Sequence, residues 1–251
     1  MKYIILPLSA VLTLTFSSCS IDINGKKGLD LVESNFDSNT SIVHEDRKIS
    51  NFDNVDISSA FSVVVSDNDY KGSIVVSAPD YAMDKIVTKV VNGTLKVYVD
   101  GSISMKSGDK LEITFPHRKL RDIKISGASK LIVKHVMKLE KLNVNLSGAS
   151  SLDLNVVSNL IKLDHSGASK FKLTGNTQDF EANVSGASKL DAENLKASKV
   201  ILKASGASSA KVWAVNDLKI NASGASKVVY KSQNGLVKSL DKSGASKISE
   251  F

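Results

Sequence analysis

The amino-acid sequence predicts an all-β fold, a parallel β-helix or solenoid whose coils of about 20 residues turn at a repeated corner. Three observations carry that prediction. The tetrad Ser-Gly-Ala-Ser starts at Ser126, Ser147, Ser166, Ser185, Ser205, Ser223 and Ser243, at spacings of 21, 19, 19, 20, 18 and 20 residues. Apolar and polar residues alternate on both sides of the tetrads, the period of a strand with one face in and one face out. The 251-residue chain is 42% hydrophobic but only 6% aromatic. Its apolar bulk is Leu, Val, Ile and Ala, which suits thin repeated layers better than a core built on aromatic anchors.

Before the tetrads, Ile123, Val144, Leu163, Ala182, Leu202, Ile220 and Leu240 form one predicted inward column. Ile125, Leu146, His165, Val184, Ala204, Ala222 and Lys242 form the next, with His165 and Lys242 breaking its apolar character. After the tetrads, Leu131, Leu152, Phe171, Leu190, Ala210, Val228 and Ile248 face in, while Lys130, Ser151, Lys170, Lys189, Ser209, Lys227 and Lys247 face out. No single unit can bury its own apolar face. Coils stacked about 4.8 Å apart in parallel register close a continuous core. Four residues preserve the in/out parity, so the glycine and second serine of each tetrad are expected to face inward at a cramped corner. There glycine supplies unusual backbone angles, and stacked serines exchange hydroxyl hydrogen bonds from coil to coil.

The first half follows the same scheme more loosely, as degenerate first coils over residues 47–120 ahead of regular repeats over 121–251. Ser58-Ser59-Ala60-Phe61 stands in phase where a tetrad would be. "GSIVVSAP" supplies a strand ended by Pro79, and a short helix is expected near Asp80–Lys85. Two alternating runs joined by Asn92-Gly93 predict a hairpin, and "DKLEITFP" a further strand before Pro116.

Residues 1–18 read as a secretory signal: Lys2 precedes an apolar run from Tyr3 to Phe16 that is too short for a spanning helix. The run ends in Ser17-Ser18-Cys19, and Cys19 is the only cysteine of the chain. Small residues before a lone cysteine resemble a bacterial lipobox, so Cys19 is the expected lipidation site and the lipid anchor the expected link to a membrane, carrying palmitate-type acyl chains. Residues 19–46 are polar without sustained period and read as a tether. The β-helix domain is then 47–251. The expected location is the outer membrane, on its periplasmic or cell-surface side.

The repeated tetrads, the lead-in "RKISNFDNVDISSAFSVVVSD" and the later "NGTLKVYV" resemble the putative autotransporter-adhesin head GIN domain lipoproteins of Bacteroidota-type bacteria. The resemblance spans roughly Arg47 to Phe251. It implies a right-handed β-helix and an adhesive role, and it brings no functional residues with it.

The net charge is −2 over residues 1–120 and +9 over 121–251. Export argues against nucleic acid as the partner of that basic half, leaving an acidic glycan, anionic lipid headgroups or an envelope protein. The candidate ligand face is the column Lys130, Lys170, Lys189, Lys227 and Lys247. The same column also reads as a solvated strand surface. No cofactor, metal site or catalytic residue is expected: His44, His117, His135 and His165 lack metal-ligand spacing, and seven copies of one serine tetrad make no sense as a nucleophile. Asp153 and Asp191 share an outward column two coils apart, but Lys172 lies between them and an Asp–Lys–Asp ladder accounts for all three. The sequence therefore points to a non-catalytic adhesin-like or glycan-binding module. The alternatives are a structural periplasmic scaffold and a polysaccharide lyase or hydrolase.

Overall fold

The computed structural model describes residues 41–67, 71–117, 119–233 and 235–251. The signal segment, Cys19 and most of the tether lie outside the described residues. Ahead of the first tetrad come β1 (Ile42–Lys48), β2 (Asn54–Ile57), β3 (Phe61–Ser66), β4 (Ser73–Pro79), the single helical turn α1 (Asp80–Met83), β5 (Ile86–Val91), β6 (Thr94–Val99), β7 (Leu111–Pro116) and β8 (Asp122–Ile125). Strand β1 begins five residues before Arg47, so Ile42–Asp46 belong to the sheet and not to the tether. Five long strands then each run from one tetrad to the next: β9 (Lys130–Leu146), β10 (Ser151–His165), β11 (Lys170–Val184), β12 (Lys189–Ala204) and β13 (Ser209–Ala222). The last elements are β14 (Lys227–Lys231), β15 (Val237–Lys242) and β16 (Lys247–Glu250).

The coils pair in parallel, β9 to β10 to β11 to β12 to β13, and β13 hands on to β14 and β15. This is the β-solenoid that the tetrad period predicts. The inward columns are buried as the alternation requires, including Leu131, Leu152, Phe171, Leu190, Ala210 and Val228 on one side and Ile123, Val144, Leu163, Ala182, Leu202 and Ile220 on the other.

The uneven spacing of the tetrads has a simple mechanical outlet. Pairing is in unbroken register on both flanks of every corner, and the extra residues enter as bulges farther along each coil, beside Asp153/Asn155, Lys172/Thr174 and Ala192/Lys196. A bulge opposes extra residues on one strand to fewer on its neighbour and so absorbs length without shifting the next corner.

At the N-terminal end, β2 and β3 make the first coil. Ile57 pairs with Ile125 and Ser62 with Lys130, which places Ser58–Phe61 at the corner. Beneath it β6 pairs with β2 and β7 with β3, and antiparallel strands then close the stack: β5 on β6 through the Asn92-Gly93 turn, β4 on β7, and β1 on β4. Both turn residues have positive φ, 50° and 70°, as a two-residue hairpin of this twist demands.

Candidate functional site

The corner organises everything near it. Three backbone bonds cross the step from the first tetrad to the second: Ser147 N–H donates to Ile125 O (3.0 Å), Ala149 N–H to Gly127 O (2.7 Å) and Ser151 N–H to Ser129 O (2.9 Å), and the set recurs at each step up to the tetrad at Ser223. The second serine faces inward as expected, with Ser129, Ser150, Ser169, Ser188, Ser208 and Ser226 all buried. The glycine does not. Gly127 through Gly224 are exposed, each with φ between 67° and 76°, because the Gly-Ala pair forms a tight turn rather than a pleat. The shortage of room lies along the axis: a Cβ on Gly148 would strike Gly127 O, and one on Gly186 would stand 2.6 Å from Gly167 O.

The serines also bond differently from expectation. Ser150, Ser169 and Ser188 donate their hydroxyls to the carbonyls of Ser147, Ser166 and Ser185 in their own turns, at 2.6 to 2.7 Å. Ser208 and Ser226 reach carbonyls of the preceding coil at 3.4 and 3.5 Å. The hydroxyls of Ser150, Ser169 and Ser188 supply a donor to carbonyls of their own turns, since an unpaired carbonyl is costly, whereas the Val184 and Ala204 carbonyls reached by Ser208 and Ser226 already accept the N–H of Ser205 and Ser223. They do not form a serine-to-serine ladder.

Two outward faces flank this ridge. The face before the corner carries Asp56, Lys124, Asn145, Asp164, Asn183, Lys203, Asn221 and Asp241 in one column. Several of its members bond one another: Lys124 pairs with Asp56 at 3.2 Å, Asn183 donates to Asp164 at 2.8 Å, and the Asn221 amide, turned to suit its neighbours, donates to Asp241 at 2.9 Å. One column over, Lys162 pairs with Glu181 at 2.9 Å. A shallow groove of about 490 Å³ runs beside Asn183, Lys203, Asn221 and Asp241.

The face after the corner is different. Register places Lys130, Ser151, Lys170, Lys189, Ser209, Lys227 and Lys247 in one file, as the tetrad alignment predicts. All five lysines are exposed, and none makes an ion pair within 4.0 Å among the described residues. Two residues along, Asp153, Lys172, Asp191 and Lys211 form a second file. Lys172 closes no salt bridge to either aspartate, so the expected Asp–Lys–Asp ladder is aligned but not bonded. Lys211 turns aside to Glu193 at 2.6 Å, and that bond raises its pKa. Between the files lies a depression of about 250 Å³, bordered by Lys130, Lys170, Lys172, Lys189, Asp153 and Asp191 over Phe171.

A third file adds a residue that sequence alignment misses. Trp213, partly exposed, stands in register between Lys196 and Lys231, whose ammonium groups lie 5.8 and 4.2 Å from its ring centroid. The bulge at residues 193–195 hides this pairing, because counting from the tetrad puts Lys196 out of step with Trp213.

Among the described residues no group of three or more His, Cys, Asp or Glu could hold a metal ion. His165 is 1% exposed and lies edge-on to Phe171 at 6.5 Å. Burial lowers its pKa to about 4, and the Ser169 backbone offsets only part of this. His117 is buried at the N-terminal end, where Nε2 donates to Phe52 O (2.6 Å) and Nδ1 accepts from Lys119 N–H (3.1 Å), a neutral ring whose pKa is also lowered by burial. Both are packed into the fold, away from the lysine file.

Among the described residues no helix is long and apolar enough to cross a membrane. No curated protein matches the sequence. The fold is similar to crystal structures described as a putative adhesin from Bacteroides fragilis (21% identity over 85% of this chain and 98% of that one, TM-score 0.78), a putative adhesin from Parabacteroides distasonis (14%, 84% and 97%, 0.67) and a putative lipid binding protein from Parabacteroides distasonis (18%, 85% and 98%, 0.65). The model of one family matches residues 51–233, most of the solenoid, and by that match the chain belongs to the family described as "Putative auto-transporter adhesin, head GIN domain".

Proposed function

We propose that the solenoid is a non-catalytic, adhesin-like module of the cell envelope that holds an acidic glycan on its lysine file, with Cys19 as the lipid anchor. The observation that carries this reading is the contrast between the two faces beside the corner. On one, Lys124 and Lys162 are paired with acids of neighbouring coils, and Asp164 and Asp241 take amide donors from Asn183 and Asn221. On the other, none of the five lysines of one file makes an ion pair among the described residues. Adjacent exposed like charges repel by only about 1 kcal/mol in water, so the fold tolerates them, and they remain free to pair with an external anion. Family membership supports an adhesive role over catalysis.

Replacing Lys130, Lys170, Lys189, Lys227 and Lys247 together by serine tests the reading. Serine already occupies this file at Ser151 and Ser209, so the thermal melt should barely move. Binding to an acidic polysaccharide, measured by co-sedimentation, should be lost, and for the parent it should weaken as salt is raised. Unchanged binding by the variant sinks the lysine-file reading, and absence of binding by the parent favours a structural scaffold. Protease treatment of intact cells, with lysed cells as control, tells surface display from periplasmic residence.

A further inference from the structure

We propose that Trp213, Lys196 and Lys231 form a second track of this site, and that its ligand is a linear acidic polysaccharide laid along the solenoid axis. This rests on the lysine-file reading above. Trp213 is the only tryptophan of the chain, and it sits on the outward face of β13 with a lysine in register on the coil before and the coil after.

The neighbouring Lys211 shows the alternative arrangement. Its ammonium is bound by Glu193 at 2.6 Å, so the pair presents almost no net charge to a partner. At Trp213 the lysines meet an aromatic ring, Lys231 at 4.2 Å and Lys196 at 5.8 Å from its centroid. A ring face attracts an ammonium through its quadrupole but carries no charge of its own. The ammonium keeps its full positive charge and free N–H donors. Holding a long side chain in place before binding lowers the ordering cost that a ligand must overcome. Trp213 is therefore a positioning residue: it steadies two cations without neutralising them.

Across β12, β13, β14 and β16 this face presents Lys189, Lys196, Lys211, Lys227, Lys231 and Lys247 against Asp191 and Glu193. The unmatched charges form files along the axis. From Lys130 to Lys247 the first file crosses six coil steps, about 29 Å at ~4.8 Å per step. A narrow line of that length fits a chain carrying anions at intervals. A bilayer surface would call for protruding apolar side chains among the lysines. From β9 onward the large exposed apolar residues are Val136, Val157, Val237, Leu240 and Phe251; none stands in the file of Lys130 and Lys247, and Val157 and Phe251 stand five coil steps apart in the Trp213 file, too scattered to make an apolar patch.

Polygalacturonate is the test polymer, with neutral dextran and anionic phospholipid vesicles beside it. As the only tryptophan, Trp213 reports directly: polygalacturonate, and not dextran, should shift its emission saturably at low salt. By calorimetry, Trp213→Leu should weaken binding about tenfold, while Trp213→Phe, which keeps a ring face, retains most of it. Circular dichroism of both variants checks the fold. If the polymer binds with emission unchanged and Trp213→Leu binds like the parent, the second track is overturned and the lysine file stands. If the five-serine variant still binds and still shifts the emission, the lysine file fails and the Trp213 track survives. Binding to vesicles alone, or to nothing, overturns both.

Discussion

His165 occupies a place in a column of Ile125, Leu146, Val184 and Ala204, and its ring nitrogens make no hydrogen bond of good geometry there. Its folded pKa, lowered to about 4, lies below the unfolded value of 6.5. The unfolded chain therefore takes up the proton first, and stability falls as pH drops from 6.5 towards 4; above 6.5 the residue contributes no slope. The full difference is about 3 kcal/mol. His165→Leu, matching Leu146 beneath it, should melt higher at pH 7 and lose most of this acid sensitivity in urea titrations between pH 7 and 4. Part of the slope will persist, since burial also lowers the pKa of His117. Alternation in the sequence was sufficient to place His165 inside and the five lysines outside. Trp213 was not legible, because its neighbours depend on a bulge, and a bulge depends on backbone bends that no residue pattern here announces. Ion pairing was equally hidden: alignment put Lys172 between two aspartates, but side-chain reach sent Lys211 to Glu193 and gave Lys172 no ion pair among the described residues.

At the scale of the element, the corner turns on one backbone geometry repeated. Each glycine combines left-handed φ with a neighbour directly below, and the clearance widens up the stack, from 2.6 Å at Gly186 to 2.8 Å at Gly206, 2.9 Å at Gly224 and 3.0 Å at Gly244. Alanine at any of them meets the strain of left-handed backbone, of order 1–2 kcal/mol. Lower in the stack it also meets a carbonyl that cannot move without breaking its own bond to the next coil. Gly148→Ala should therefore cost roughly twice as much as Gly244→Ala in urea-denaturation midpoints, and equal costs would show that the contact is relieved by a shift of the whole corner. Ser59 shows the limit of the rule. It keeps φ 78° in the first coil with a side chain, and its hydroxyl accepts from Val99 N–H at 3.2 Å. Period and phase in the sequence located every corner, this degenerate one included. The outward turn of the glycine was missed because parity counting treats four residues as pleated, and a tight turn is not.

For the solenoid as a whole, the two ends are finished by different means. At the first end, antiparallel strands close on the β6 and β7 layer beneath the first coil, whereas the last coil puts charge where the core columns end: Lys238 follows Leu218, Lys242 follows Ala222 and Glu250 follows Tyr230. Lys238 and Glu250 pair at 3.4 Å, Tyr230 donates to Glu250 at 3.0 Å, and Ser232 closes on the same carboxylate. Charges at inward positions of an edge strand discourage a second sheet from adding to it. This explains Lys242, which the apolar pattern alone leaves as an anomaly. The combined variant Lys238→Leu, Lys242→Val and Glu250→Val should raise the mass seen by light scattering in a concentration-dependent way, and an unchanged mass would mean that the exposed strand edge is protected by something other than these charges. Above the first coil, every step of the corner from Gly127 to Gly244 is a glycine backbone resting on a glycine backbone, with no side chain to record which coil it belongs to. Such a joint has no address. Coils can be gained or lost in whole units by duplication or deletion between tetrads, and each event changes the reach of the lysine file by one notch of about 4.8 Å. The ladder is thus a ruler whose length descent can adjust without redrawing its marks.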